Sequence, residues 1–191
     1  MQKVPTVAIL LGASGVLPFA WYGMQHSSYR SAAKEPPIGD AVLARAQALT
    51  GLPLSYFASH DQHTVRHRFV TYSASVLSFL GAVHWGAAMC GPQGTGLVLA
   101  QYTFSVLPSL LAWGALCVPE GWNGNRDGTA RHTLLAGGYL ASYLVDEACG
   151  ARKALPPFYT HLRTPLTFSV VAIHCLTAVL SRAPSVSDIS S

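Results

Sequence analysis

Three long stretches of the sequence contain no charged side chain, and this absence limits the folds that the chain can adopt. No Asp, Glu, Lys or Arg occurs in residues 4–29, 69–119 or 164–181. In a typical soluble domain about a quarter of the residues are charged, whereas here the share is 10% and hydrophobic residues make up 50%. Crossing about 30 Å of hydrocarbon takes roughly 20 apolar residues, so these stretches hold one, two and one membrane spans. The sequence therefore predicts an integral membrane protein.

We expect one membrane domain over residues 1–191, an all-α bundle of about five transmembrane helices. The predicted spans are residues 4–24, 69–89, 97–118, 132–146 and 164–181. The fourth has an uncharged stretch of only about 14 residues, so it is expected to be short or tilted. Residues 25–67 are polar and extramembrane, with a short helix over 41–49 that Asp40 caps, and residues 183–191 are expected to form a disordered tail.

The basic residues predict orientation and lipid contact. The chain has 12 Lys and Arg residues, and eight of them lie on the inner side if the N-terminus is outside, which favours an outer N-terminus and an inner C-terminus. They form no stripe of the kind that binds nucleic acid. Arg66, His67 and Arg68 directly precede the second span, so we expect them to bind an anionic phospholipid, cardiolipin if the membrane is mitochondrial.

Small residues predict where helices pack closely. Ser78, Ala82 and Gly86 recur every four residues on the second span, and small side chains let helix backbones approach one another. We therefore predict that these residues, with Pro108 on the third span, are helix-packing positions. Weaker examples of the same pattern are Ser105 with Ser109 and Gly137 with Ala141.

His84 is the main candidate for chemistry, because an ionisable residue within a membrane span is a functional hypothesis by default. The alternative is structural: a neutral imidazole that donates a hydrogen bond to a neighbouring helix. His174 lies in the fifth span, so the two histidines are candidates for a haem ligand pair. Their expected depths differ, which argues against haem, since the two ligands of one iron lie nearly level.

Other candidate sites have equally plausible structural interpretations. His60, His63 and His67 share a helical face and are a candidate metal site, but Arg66 and Arg68 would oppose a cation. Cys90 and Cys149 are either a disulfide at the outer face or two unpaired thiols. Asp146 and Glu147 either start a proton path or form ion pairs at the membrane surface with nearby Arg152, Lys153 and Arg163. No motif of a hydrolase or nucleotide-binding site is present, so we predict no catalytic residue, no metal and no cofactor other than phospholipid.

Three segments resemble the transmembrane protein 69 family: SFLGAVHWG at 78–86, YTFSVLPSLLAW at 102–113 and LPPFYTHLRTPLT at 155–167. GVLPF at 15–19 fits the start of that family. The chain departs from the family pattern at Ala82, where the family has a second glycine, and at Phe158, where it has tryptophan. The resemblance implies a mitochondrial inner-membrane protein of about five helices and implies no reaction. The family-motif positions that carry over are His84, Trp85, Pro108, Trp113 and Arg163.

These observations favour a non-catalytic membrane subunit or assembly factor of a mitochondrial inner-membrane complex, such as a respiratory complex or ATP synthase. Its expected partners are other membrane subunits and anionic phospholipid, with the N-terminus in the intermembrane space and the C-terminus in the matrix. The alternative is a small carrier or channel that uses His84 and helices broken at Pro18 and Pro108. A haem-binding or metal-binding membrane protein is the third interpretation.

Overall fold

The structure, a computed structural model, describes residues 6–30, 38–51, 62–90, 95–119 and 128–182. These residues form six helices, with no strand among them. The helices are α1 (Thr6–Arg30), α2 (Ile38–Thr50), α3 (Gln62–Cys90), α4 (Thr95–Cys117), α5 (Thr129–Ala151) and α6 (Pro157–Arg182). The predicted short helix over 41–49 is present as α2, which begins at Ile38, so Asp40 lies within the helix and is not its cap. The predicted disordered tail, residues 183–191, lies outside the described residues.

Three of the described helices are long and apolar enough to cross a membrane: His63–Cys90 of α3, Gly96–Cys117 of α4 and Pro157–Leu180 of α6. The prediction of an all-α membrane protein is confirmed at this level. The count of five spans stays a prediction, because it also needs α1 and α5. Their lengths of 25 and 23 residues correspond to about 35 Å of helix each. Helix α5 is longer than the uncharged stretch of the sequence, since it continues through the charged residue Asp146 to Ala151.

The long helices run alternately up and down. Tyr72 donates a hydrogen bond to the carbonyl of Gly15, and Phe69 packs on Phe19, so α3 runs antiparallel to α1. Along α5 and α6, Gly150 faces Thr160 and His132 faces His174, which makes this pair antiparallel as well. Helix α1 packs on α6 in the parallel sense, and α2 makes only a small contact with α1. The result is an up-and-down bundle with a core around Phe19, Phe69, Leu77, Leu135 and Tyr139.

Helices α3 and α4 approach each other closely at Gly81. A Cβ atom at this position would run into the carbonyl oxygen of Ser105 and would lie 3.3 Å from Cδ of Pro108. Only glycine allows the two backbones to come this near. Pro108 is buried in this contact, as its predicted packing role requires.

The predicted packing role of Ala82 and Gly86 is wrong. Ala82 is exposed, Gly86 is exposed with no atom within 4 Å of a Cβ placed on it, and Ser78 is half-buried with its hydroxyl bonded to the carbonyl of Ala74. The physical reason is helical rotation: one residue turns the helix by about 100°, so Gly81 faces α4 while its neighbour Ala82 faces outwards.

The same displacement by one residue occurs on α5. Gly137 and Ala141 are exposed, whereas Gly138 packs so closely on Leu77 of α3 that a Cβ atom would lie 2.7 Å from its Cδ2. On both helices the small residue that packs is next in sequence to one of the predicted positions, and it lies on a different face of the helix.

We expect Gly81→Ala to destabilise the bundle by about 1–3 kcal/mol, because the methyl group would push α4 away from α3. Gly86→Ala is the matched control and should be neutral or slightly stabilising, since alanine has the higher helix propensity and the site is open. Thermal unfolding of the detergent-purified protein, followed by circular dichroism, measures both. Equal melting temperatures for the two variants would contradict the assignment of Gly81.

Candidate functional site

A buried charged cluster joins three helices near one end of the bundle. Asp146 of α5 accepts a hydrogen bond from Nε2 of His84 at 2.9 Å and another from Nε of Arg163 at 2.6 Å, one at each carboxylate oxygen. The exposed fractions of His84, Asp146 and Arg163 are 3%, 1% and 5%. We call these three residues the charged cluster. It links α3, α5 and α6 through one carboxylate.

Pairing explains why the carboxylate tolerates burial. An isolated charge inside an apolar bundle would be strongly unfavourable, and Asp146 avoids this cost because Arg163 supplies the counter-charge and a donor. His84 fills the second carboxylate oxygen, and donation to a carboxylate places a proton on Nε2. The expected hydrogen bond from His84 to a neighbouring helix is thus present, and its acceptor is a residue that the sequence analysis had placed elsewhere.

The expected surface location of Asp146 is wrong, although its ion pair with Arg163 is present. Asp146 and Arg163 face inwards, while Glu147 is half-buried and Arg152 and Lys153 are exposed. The sequence placed Asp146 at the end of an uncharged stretch, which is the usual position of a surface charge. The signal that could have located it is spacing: His132, Tyr139 and Asp146 are seven residues apart and occupy one face of α5.

A second buried polar group, which the sequence analysis missed, lies deeper in the bundle. Nδ1 of His132 and Nδ1 of His174 are 3.0 Å apart, and Nε2 of His174 is 2.7 Å from Oγ of Ser73. Tyr139 donates its hydroxyl to the carbonyl of Ser73 at 2.8 Å. Both imidazoles are fully buried, and the ring of Phe69 stacks on His174 with centroids 4.9 Å apart. We call Ser73, His132, Tyr139 and His174 the histidine cluster.

The histidine cluster permits two arrangements of its protons. In one, His174 donates from Nδ1 to His132 and accepts the Ser73 hydroxyl at Nε2. In the other, His132 donates to His174, which donates from Nε2 to Ser73, and the serine hydroxyl turns to the Tyr139 oxygen at 3.4 Å. The two arrangements differ in the tautomers of both imidazoles and in the direction of the serine hydroxyl, so passing from the first to the second requires one proton to leave Nε2 of His132 and one to enter at Ser73. His174 therefore pairs with His132, and His84 pairs with Asp146, so the structure does not bring the two candidate haem ligands together.

The buried face of α6 carries polar residues along its whole length. Arg163, Thr167, Val170, His174 and Thr177 are all at most 5% exposed and follow one another at spacings of four and three. This face meets α5, on which the buried His132, Tyr139 and Asp146 lie. The two clusters are therefore parts of one polar seam between the helices, and it runs beside the apolar core.

A cavity of about 310 Å³ lies between α1, α3 and α6, beside the charged cluster. Its wall is mostly apolar, and its polar lining residues are Tyr139, Tyr159, Arg163 and Thr167. Nη2 of Arg163 and Oγ1 of Thr167 are buried without a hydrogen-bond partner. We call this space the α1–α3 cavity. A mostly apolar pocket with a few convergent polar groups is the usual form of a small-molecule site.

The remaining sequence candidates lie apart from the two clusters. Trp85 is half exposed and packs edge-on against Tyr102 with centroids 5.2 Å apart, and Trp113 is exposed. Cys90 is exposed and Cys149 is buried, and both are free thiols, so they do not form the disulfide considered above. No group of three metal-ligating side chains occurs in the part of the chain that the structure describes. His60 lies outside it.

The three residues predicted to bind lipid occupy the first turns of α3. Arg66 and Arg68 are half-buried and His67 is exposed. The Arg66 side chain lies against the start of α5, where Gly128 adopts a left-handed conformation with φ 69°. Consecutive residues point in different directions around a helix, so these three do not form one compact face. Their binding of cardiolipin stays a prediction.

Comparison with known proteins assigns the chain to a family, and the description of that family names no reaction. The family model described as "Protein of unknown function (DUF3429)" matches residues 4–179. The chain belongs to this family. The match covers the charged cluster, the histidine cluster and the α1–α3 cavity. No curated protein and no solved structure shows a significant match, and the resemblance to the transmembrane protein 69 family stays a prediction.

We expect Asp146→Asn to destabilise the protein by about 3–5 kcal/mol, because Arg163 would then be buried without a counter-ion. The matched control is Glu147→Gln, one residue along and outside the cluster, which should stay within about 0.5 kcal/mol of the parent. Chemical unfolding in detergent measures both. If the two variants unfold alike, Asp146 does not hold the three helices together.

Proposed function

We propose that the chain is a non-catalytic integral membrane protein of the mitochondrial inner membrane that serves as a subunit or assembly factor of a larger complex, such as a respiratory complex or ATP synthase. The orientation we propose places the N-terminus in the intermembrane space and the C-terminus in the matrix. The observation that carries the proposal is the charged cluster, in which His84, Asp146 and Arg163 are bonded to one another.

Mutual bonding of these residues supports a structural role. A general acid or base needs an atom that can exchange a proton with a substrate within hydrogen-bond distance. Both oxygens of Asp146 are occupied by donors from other helices, Nε2 of His84 is occupied by Asp146, and Nδ1 of His84 has no partner but is buried out of contact with solvent. The cluster therefore acts as a clamp on α3, α5 and α6, which sets the surface that the bundle presents to neighbours.

Helix α4 supports a role within an assembly. Its inward face packs on α3 through Ser105 and Pro108, while most of its span is exposed. The outward side chains are large and apolar: Leu99, Leu107, Leu110, Leu111 and Trp113. In a membrane such a face packs against acyl chains or against other helices through van der Waals contact, so α4 offers a broad apolar face to a partner subunit.

We expect the tagged full-length chain, extracted from mitochondria in mild detergent, to migrate on native gels with a complex much larger than itself. Asp146→Asn should lower the fraction in that complex, because the clamp sets the bundle surface, whereas Glu147→Gln should leave it unchanged. Quantitative immunoblots of the native gel measure the fractions. Migration of the parent chain as a free monomer would contradict the proposal.

Proton conduction by a small carrier or channel is the second candidate function, and the polar seam favours it. The histidine cluster forms a hydrogen-bonded chain from His132 to Tyr139, and both Tyr139 and Arg163 line the α1–α3 cavity. Water in that cavity would find polar partners at both ends and would extend the chain towards the charged cluster. Chains of ionisable groups within a membrane are typical of proton relays.

Proteoliposomes with an internal pH-sensitive dye test this candidate. If the seam conducts protons, the parent protein dissipates an imposed pH gradient and Ser73→Ala slows this flux at least about tenfold, because it removes the hydroxyl that bonds His174. Ser75→Ala is the control, since Ser75 is exposed and bonds only to the carbonyl of Thr71 in its own helix. A parent protein without flux above empty liposomes would eliminate proton conduction.

A further inference from the structure

The α1–α3 cavity contains hydrogen-bond donors that the bundle itself does not use. Arg163 donates a hydrogen bond from Nε to Asp146, and its Nη2 is buried without a partner. The Thr167 hydroxyl, one turn further along α6, is also buried without a partner. Threonine in a helix usually bonds to the carbonyl four residues earlier, as Thr164 and Thr177 do in the same helix. Buried polar atoms without partners are unfavourable. Three of those among the described residues, Nη2 of Arg163, Oγ1 of Thr167 and the Tyr159 hydroxyl, belong to residues that line this one cavity, which points to a ligand.

The rest of the cavity wall matches an apolar molecule. Leu11 and Val16 of α1, Phe79 and Leu80 of α3, and Leu166 of α6 line it. Leu11 and Phe79 are 67% and 68% exposed, so the mouth of the cavity lies on the outer surface of the bundle between α1 and α3. In a membrane this surface faces the lipid, and a lipid-soluble molecule would enter from there.

Charge balance selects among the possible head groups. Asp146 already neutralises the charge of Arg163, so Nη2 offers a directed hydrogen-bond donor and not an uncompensated positive charge. A full anion would bring a second negative charge next to Asp146, which is unfavourable in a low-dielectric interior. A neutral carbonyl oxygen has two lone pairs and can accept from both donors without changing the net charge.

We propose that the α1–α3 cavity binds a neutral, lipid-soluble molecule through a carbonyl oxygen, to which Nη2 of Arg163 and Oγ1 of Thr167 donate hydrogen bonds. A quinone ring and the ester group of an acylglycerol share this chemistry. The Tyr159 hydroxyl lies close to the Asp146–Arg163 pair and adds a polar group at the same end of the cavity. This site goes beyond the proposed function, which rests on the charged cluster alone.

Gly15 allows the cavity to be filled without disturbing the bundle. It lines the cavity, and no atom lies within 4 Å of a Cβ built on it. Gly15→Leu therefore places a side chain in the ligand space, while the backbone carbonyl that accepts from Tyr72 is retained. Gly137→Leu is the matched control, because Gly137 is equally open and lies on the exposed face of α5, away from the cavity.

Binding is measured by titration calorimetry on the full-length protein in detergent micelles, with empty micelles as the blank. The neutral probes are a benzoquinone with a ten-carbon alkyl chain and monoolein, and the anionic probe is palmitate.

We expect the parent to bind at least one neutral probe at one site per chain, and Gly15→Leu to weaken this binding at least about tenfold. Thr167→Val, which keeps the side-chain shape, should weaken it about fivefold through the loss of one hydrogen bond. Gly137→Leu should change it less than about twofold.

The preferred neutral probe identifies the source of the carbonyl. Binding of the benzoquinone alone assigns a quinone, and binding of monoolein alone assigns an acyl ester. The site is refuted if neither neutral probe binds the parent, or if Gly15→Leu binds as well as Gly137→Leu. Tighter binding of palmitate than of both neutral probes would refute the neutral head group. These results are separate from the native-gel test, since Gly15→Leu leaves the charged cluster intact.

Discussion

The carboxylate of Asp146 is the point on which the register of the bundle depends. A charge inside an apolar bundle persists only when donors reach it, and here the donors come from His84 on α3 and Arg163 on α6. A shift of either helix by one residue would turn a donor away and leave the carboxylate unpaired. The contacts deeper in the bundle follow from this register, since Leu77 then meets Gly138 and His174 meets His132.

The interior of the bundle combines an apolar core with a polar seam, and large apolar side chains cover much of its outer surface. In a membrane the hydrophobic effect does not drive helices together, because acyl chains are as apolar as leucine, and association depends on close packing and on hydrogen bonds between helices. Both devices are present, one on each side of α3. Gly81 brings α3 against α4 by backbone proximity, whereas Ser73 and His84 bind α3 to the polar seam.

The seam also explains why the site admits both a structural and a ligand-binding interpretation. Both oxygens of Asp146 are paired, which suits a clamp that shapes a surface for partner subunits. Nη2 of Arg163 and the hydroxyl of Thr167 are buried without partners, and both residues line the α1–α3 cavity beside that clamp. A molecule bound there would contact the residue that holds α5 and α6 together. Occupancy of the cavity and stability of the bundle are therefore expected to be coupled, as for any ligand that binds only the folded state.

The sequence by itself determined the class of protein and its helical segments. Long uncharged stretches require hydrocarbon around them, and their order along the chain predicts helices that cross the membrane in alternating directions. It also singled out His84, Pro108 and Arg163 as unusual residues. The sequence predicted too short a span for α5, because hydropathy treats Asp146 as a boundary, although a paired carboxylate can lie well inside a helix bundle.

Tertiary structure alone decided which faces meet. The spacing of Ser78, Ala82 and Gly86 is as regular as that of the residues that actually pack, and spacing does not state how a helix is rotated about its axis. The rotation of α3 is set jointly by Gly81 against α4 and by His84 against Asp146, which are contacts between segments distant in sequence. For the same reason the pairing of His132 with His174 could not be predicted: two helices share a hydrogen bond only after their register and rotation have been fixed by all their other contacts.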